Sequence, residues 1–268
     1  MQCGLLGRKL SHSYSPAIHA HLGDYDYSLF EKEPEELEAF LRSGNWDCLN
    51  VTIPYKQSVI PYLDHLSDTA RQLGAVNTIV RKDGKLVGHN TDHWGFYSMV
   101  RKSDISPAGK KCLVLGSGGA SNVVVAVLEE LGAAVTVISR SGENNYTNLA
   151  RHSDAALIVN ATPVGMYPDT GVSPVDLALF PNLEGVLDLI YNPARTKLLL
   201  DAQQRGLAAM NGLWMLVAQA KAAAQLFTGS EIPERKIAEV FATMKSPDAR
   251  HDDIQKRNSD LAPVFDML

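Results

Sequence analysis

A glycine turn set between a buried strand and a helix narrows the possible folds more than any other feature of this chain. Cys112-Leu113-Val114-Leu115 is an unbroken apolar run, as expected of a parallel strand covered on both faces, and Gly116-Ser117-Gly118-Gly119-Ala120-Ser121 follows it directly. The apolar spacing then predicts a helix over 122–131 and a second strand over 134–138. Together they make one β-α-β unit. In this context glycines let the backbone approach a pyrophosphate, whose charge meets the unpaired N–H groups at the start of the helix. Ser121 stands where glycine or alanine is usual.

The end of the next strand selects between dinucleotides. An acidic residue there accepts a hydrogen bond from a ribose 2′-hydroxyl, whereas an arginine suits a 2′-phosphate. The strand ends Ile138-Ser139-Arg140-Ser141, which favours NADP over NAD. A charge-assisted contact of about 1.5–3 kcal/mol gives on the order of 10- to 100-fold preference. Glu143 nearby acts against it.

Short apolar strands over 156–159 and 185–189 alternate with helical stretches such as 197–205, and this alternation predicts an open, mostly parallel sheet. The first third reads differently. Strands are expected over 3–7, 48–53 and 74–80, the last joined to a hairpin partner over 84–88 through Lys82-Asp83-Gly84. Helices are expected over 17–22, opened by Ser15-Pro16, and over 33–43. After Gly212 the alanine-rich stretch 215–227 predicts a helix packed tightly against another, and Met210, Trp214 and Met215 read as core. At 268 residues the chain suits two medium cores with a cleft between them.

Composition excludes several classes. A formal charge of −5 argues against a nucleic-acid surface, which needs clustered cations. Cys3, Cys48 and Cys112 lack C-x-x-C spacing and read as reduced thiols. The eight histidines show no metal-binding spacing; His19 and His21, two apart on a helix, face different ways. No metal is expected. No secretion signal and no membrane-length apolar segment stand out, so the protein is expected in the cytoplasm, without nucleic acid or membrane as partners.

Polar residues gather at the ends of the apolar segments, in Ser11-His12-Ser13-Tyr14-Ser15-Pro16, Asn50-Val51-Thr52-Ile53-Pro54-Tyr55-Lys56, Ala75-Val76-Asn77-Thr78 and Asn90-Thr91-Asp92. Downstream come Asn160-Ala161-Thr162-Pro163-Val164-Gly165-Met166, Asp188-Leu189-Ile190-Tyr191 and Gly212-Leu213-Trp214-Met215-Leu216-Val217-Ala218-Gln219. Collinear over almost the whole chain, this set resembles the shikimate dehydrogenase family. The resemblance implies an α/β fold of two domains: a substrate domain from 1–91 with 213–268, and a Rossmann-like NADP domain over 92–212. It implies reversible, NADPH-dependent reduction of 3-dehydroshikimate to shikimate in chorismate and aromatic amino acid biosynthesis, by a monomer or homodimer.

By the same resemblance Ser13 and Ser15 hold the substrate carboxylate, and Thr52, Asn77, Tyr191 and Gln219 surround the ring with Lys56 and Asp92. Gly116, Ser117, Gly118, Gly119, Ala120, Ser139, Arg140, Thr162 and Gly212 are the expected cofactor contacts. A ring bearing several hydroxyls needs matched donors and acceptors, since each buried group left unpaired costs about 1–3 kcal/mol. Ser13 and Ser15 also suit a helix N-cap. Lys56 and Asp92 are the expected catalytic pair: hydride addition to a ketone leaves an alkoxide, which a positioned acid must protonate. Lys56 is the expected donor and Asp92 its orienter.

Two departures from the family stand out. Gly142-Glu143-Asn144 occupies the place of a second basic residue after Arg140, and the segment between Arg140 and Ala156 is short enough to lack a strand and helix. Two alternatives remain at this stage, a relative that uses quinate or NAD and a non-catalytic dinucleotide-binding homologue.

Overall fold

The computed structural model describes residues 1–10 and 13–245. Ser11 and His12 of the first motif, and the tail from Ser246, lie outside the described residues.

Two sheets organise the chain. The first takes β1 (Gln2–Gly7), β2 (Asp26–Glu31), β3 (Cys48–Val51), β4 (His65–Leu66), β5 (Thr78–Lys82) and β6 (Lys85–His89) in the order β2-β1-β3-β5-β6-β4. Its β1 lies parallel to both β2 and β3, while β5 runs antiparallel to β3 and β6. Successive side chains point to opposite faces of a strand, and the two faces bury different partners. Leu6, Leu49 and Ile79 pack on one side with Leu37 and Leu41 of α2 (Leu37–Arg42) and Ala70 of α3 (Asp68–Leu73). Cys3, Cys48 and Val80 face Ala223 and Phe227 of α7 (Leu213–Thr228) on the other. All three cysteines are buried and unpaired.

Local signals set several boundaries. The β5–β6 hairpin turns through Asp83 (φ 51°) and Gly84 (φ 75°), two left-handed residues that match the twist of the strands. Helix α3 begins where Ser67 Oγ accepts the Ala70 N–H at 3.2 Å and ends at the left-handed Gly74. The strand expected from residue 74 therefore starts only at Thr78.

The second sheet is all parallel. Its strands β7 (Lys111–Leu115), β8 (Ala134–Ile138), β9 (Leu157–Asn160), β10 (Gly185–Asp188) and β11 (Ala208–Asn211) lie in the order β11-β10-β9-β7-β8. The order reverses between β7 and β9, and in such sheets ligands bind beyond the strand ends at that reversal. One face is covered by α6 (Lys197–Gln204) and the other by α4 (Asp92–Lys102), α5 (Gly119–Glu130), α7 and α8 (Arg235–Lys245). Between β8 and β9 the described helical structure is the single 3-10 turn Leu149–His152, in line with the shortened segment.

Helix α7 thus packs against both sheets, and α4 lies along it. Contact is close at Gly95, where an added Cβ would stand 2.8 Å from the Met215 carbonyl oxygen and 2.9 Å from Gln219 Cβ. Neither atom lies at the end of a flexible chain, so any side chain there forces the helices apart. We expect Gly95→Val to cost about 1–3 kcal/mol as an overpacked contact, read as a lower urea midpoint; an unchanged midpoint would contradict the packing described.

Candidate active site

A cleft of about 580 Å3 opens between the C-terminal ends of the first sheet's central strands and the glycine turn of the second. Its lining includes Lys56, Asp92, Ser13, Ser15, Thr52, Asn77, Tyr191 and Gln219. Every residue expected to be catalytic or to contact substrate is therefore in one cavity.

Lys56 sits on the turn that follows β3. Its backbone is clamped by the Val76 N–H, which donates to the Lys56 carbonyl at 2.7 Å. Beside it, buried Tyr55 donates its hydroxyl to the Lys32 carbonyl. The side chain reaches across to the first residue of α4, placing Lys56 Nζ 2.6 Å from Asp92 Oδ2. The two side chains are 28% and 14% exposed, so the pair is partly desolvated yet open to the cleft.

Asp92 is held from behind. Asn90 Oδ1 accepts the Asp92 N–H at 3.1 Å, and Asn90 Nδ2 donates to the Ala75 carbonyl at 2.9 Å. Asn77 Oδ1 accepts the Thr91 N–H at 2.7 Å while Asn77 Nδ2 donates to Thr91 Oγ1 at 3.0 Å. These buried bonds tie the ends of β5 and β6 to the start of α4. Gln219 of α7 donates Nε2 to the Leu216 carbonyl at 2.9 Å.

The paired serines differ from the N-cap expectation. Helix α1 (Ser15–His19) is capped at Tyr14 with no side-chain bond, while Ser13 Oγ accepts the Ser15 N–H at 3.2 Å. With five residues the helix is too short to offer an anion site of its own. Tyr14 and Tyr191 pack ring to ring at 5.1 Å, and burial pushes the Tyr191 phenol above its ordinary range.

Several lining residues escaped the sequence reading as site residues: Lys9, Leu10, Asn50, Leu189, Met215 and Leu216. Asn50 stood in a quoted motif, and its place in the cleft lining is a product of strand pairing. Lys9 makes the charged lining two ammoniums, Lys9 and Lys56, against the one carboxylate of Asp92. The balance favours an anionic ligand.

Of the expected cofactor residues, Ala120 and Gly212 line the same cleft. Gly212 approaches the Leu189 carbonyl so closely that any Cβ would collide with it. Gly116, Ser117, Gly118 and Gly119 follow β7, Ser139 and Arg140 follow β8, and Thr162 lies just past β9. Gly116 has φ 101° and rests against Thr162, whose Cγ2 would lie 2.9 Å from an added Cβ. At Gly118 and Gly119 an added Cβ meets nothing within 4 Å. Helix α5 starts there without a side-chain cap, which leaves N–H groups of its first turn without a side-chain partner. These features fit a dinucleotide pyrophosphate. Arg140 is exposed and, among the described residues, forms no hydrogen bond or ion pair.

A buried carboxylate supports the β9 side of this crevice. Asp188 accepts from Asn160 Nδ2 (3.0 Å), the Ile190 N–H (3.1 Å) and Thr196 Oγ1 (2.7 Å). Asn160 Oδ1 in turn accepts the Thr162 N–H at 3.0 Å and the Thr162 hydroxyl at 2.7 Å. Among the described residues no group of three His, Cys, Asp or Glu side chains is placed to hold a metal ion, and no helix is long and apolar enough to cross a membrane.

Fold and cleft together define a two-lobed α/β protein in which a Rossmann-type sheet and a second lobe line one cleft between them. Residues 5–79 match the family model described as the shikimate dehydrogenase substrate binding domain. The NADP(+) shikimate dehydrogenase of Symbiobacterium thermophilum is 40% identical over 263 residues, covering 86% of this chain and 90% of that protein. Among solved structures, shikimate dehydrogenase 1 of Peptoclostridium difficile superposes with a TM-score of 0.83 at 35% identity, covering 91% of this chain and 98% of that one. Shikimate 5-dehydrogenase of Thermus thermophilus, solved with NADP(H) and shikimate, gives 0.82 at 32% identity, covering 91% and 99%. The chain belongs to the shikimate dehydrogenase family.

Burial holds the Asp188 carboxyl up at about 6, against an ordinary 3.8, with the bonds from Thr196, Ile190 and Asn160 opposing. A raised carboxyl pKa means that ionisation costs the folded state more than the unfolded one. The penalty is complete above about pH 6 and absent below about pH 4. Asp188→Asn removes the charge and keeps groups of the same shape. We expect it to gain stability relative to the parent at pH 8, by at most about 3 kcal/mol, and to lose that gain at pH 4. Urea midpoints at the two pH values check this, and an equal difference at both would contradict it.

Proposed function

We propose that this protein reversibly reduces 3-dehydroshikimate to shikimate with NADPH, as an enzyme of chorismate and aromatic amino acid biosynthesis in the cytoplasm. The observation that carries the reading is the ion pair of Lys56 and Asp92 in a cleft that Ala120 and Gly212 of the nucleotide lobe also line. We further propose that 1–91 with 213–268 form the substrate lobe and 92–212 the cofactor lobe. Sheet membership supports this division, although α4 packs mainly on α7.

Bound NADPH would supply a hydride to the ring ketone and NADP would accept it in reverse. The chain's own residues do the rest. In reduction, Lys56 Nζ gives a proton to the developing alkoxide oxygen, and in oxidation it takes that proton from the hydroxyl. Asp92 Oδ2, at 2.6 Å, orients the Lys56 amine so that its transferred proton lies toward the reacting oxygen. Water reaches the partly exposed lysine and resets its proton. Ser13 and Ser15 take the substrate carboxylate, with the net positive lining in support. Thr52, Asn77, Tyr191 and Gln219 supply donors and acceptors to the other ring groups.

On the cofactor side, Gly116, Ser117, Gly118, Gly119 and Ala120 cradle the pyrophosphate at the start of α5. Thr162 and Gly212 border the path to the cleft, and Ser139 with Arg140 holds the 2′-phosphate. An exposed guanidinium that forms no hydrogen bond or ion pair among the described residues suits that charge. This contact favours NADP over NAD, and the acid and base residues in place favour turnover over mere nucleotide binding.

Two measurements test the assignment. Replacing Lys56 by Met or Asp92 by Asn is expected to lower kcat for shikimate oxidation about a hundredfold to ten-thousandfold, the usual range for a positioned acid or base. A kcat within a few fold of the parent would contradict their roles. Arg140→Ala is expected to raise the KM for NADP about 10- to 100-fold while leaving that for NAD in place. Equal changes for both cofactors would remove Arg140 from the 2′-phosphate site.

A further inference from the structure

Directly behind the cleft, the first sheet buries an aromatic and polar cluster to which the proposed reaction assigns no part. His19, at the end of α1, is 1% exposed and stacks on Tyr27 of β2, with ring centroids 4.0 Å apart and an interplanar angle of 12°. Phe227 of α7 packs on the same imidazole at 5.8 Å. His19 Nδ1 lies 2.6 Å from the Tyr25 hydroxyl. Burial pulls the imidazole down to about 3, so the stack is uncharged near neutral pH.

The cluster reaches the cleft through one atom. Tyr27 donates its hydroxyl to Asn50 Oδ1 at 2.8 Å, and Asn50 Nδ2 donates to Thr78 Oγ1 at 3.2 Å and the Asn77 carbonyl at 3.4 Å. Burial pushes the Tyr27 phenol well above its ordinary range. The phenol is therefore a neutral donor at working pH, and it meets a side chain that lines the cleft, Asn50. Tyr27 itself is not part of the lining.

We propose that Tyr27 is a positioning residue for substrate: its hydroxyl fixes the orientation of the Asn50 amide, presetting a polar group of the cleft before the ligand binds. The inference rests on the reading of the cleft as the shikimate site. An amide with both ends engaged has one orientation, and a preset site binds without the cost of ordering its groups. Removing only the phenol oxygen would leave the ring stack in place while freeing the Asn50 amide oxygen of its partner.

The test is steady-state kinetics of shikimate oxidation by the full chain, with thermal melting alongside. Tyr27→Phe is expected to raise the KM for shikimate about tenfold, the worth of one hydrogen bond, with the KM for NADP unchanged and melting near that of the parent. Tyr25→Phe, which removes a hydroxyl from the same cluster without touching a cleft residue, is expected to move neither KM. Asn50→Ala reports on the same route without disturbing the stack and is expected to raise the shikimate KM alone. That variant decides the matter if Tyr27→Phe does not fold.

The proposal is overturned if Tyr27→Phe or Asn50→Ala leaves the shikimate KM unchanged while Ser15→Ala raises it. It is also overturned if Tyr27→Phe raises both KM values together with a loss of melting temperature, the mark of a purely structural role. If Ser15→Ala too leaves the shikimate KM in place, the reading of the cleft fails and this inference falls with it.

Discussion

The close packing of α4 on α7 is the constraint on which the rest of the structure depends. One helix begins with Asp92 and the other carries Gln219, and they meet where Gly95 has no side chain. Helix α7 also buries Ala223 and Phe227 on the first sheet and Leu213 and Val217 in the core of the second. A single helix pair thus sets the distance between lobes. Cores are close-packed, and even small changes in volume are felt across them. The relative placement of Lys56, fixed to the first sheet, and Gly116, fixed to the second, follows from that contact.

The cleft shows how a polar site is made affordable inside such a frame. Asn77, Thr78, Asn90 and Thr91 are all buried, and each makes hydrogen bonds to neighbouring chain groups. Their bonds join strand ends to the first residue of α4, so the Asp92 carboxylate is aimed before any ligand arrives. On the nucleotide side, Asp188 and Asn160 hold Thr162 in the same manner. Both lobes use a buried polar group behind the site to orient the group that faces it. Preset dipoles of this kind need not reorganise when charge develops.

Much of this was legible in the sequence, and the exceptions have physical causes. Strands β7, β8 and β9 are short continuous apolar runs, and the glycine turn between them has few alternatives; all were readable. So was the gathering of Lys56, Asp92 and the paired serines, although through a family pattern rather than through spacing, since residues so far apart in sequence meet only by strand pairing. Strand β2 was missed because Asp26–Glu31 lies at the sheet edge, with charged ends and half-exposed side chains that resemble a loop. Helix α4 was missed although Phe96, Met99 and Val100 fall on one face, because Gly95 and several aromatics weaken its helical signal. Asn50 stood in a family motif with no role of its own assigned, and Lys9 carries no local mark of function. Their places in the cleft arise from register and from the path of the chain after β1.

The central claim is spatial: a ring alcohol sits with its reacting oxygen at Lys56 Nζ while a nicotinamide approaches from the side of Ala120 and Gly212. A crystal structure of this chain with shikimate and NADP measures it most directly. The account predicts the reacting hydroxyl at about 3 Å from Lys56 Nζ, within proton-transfer reach, with the substrate carboxylate at Ser13 and Ser15. Shikimate bound outside this cleft, or a nicotinamide directed away from it, would contradict the account.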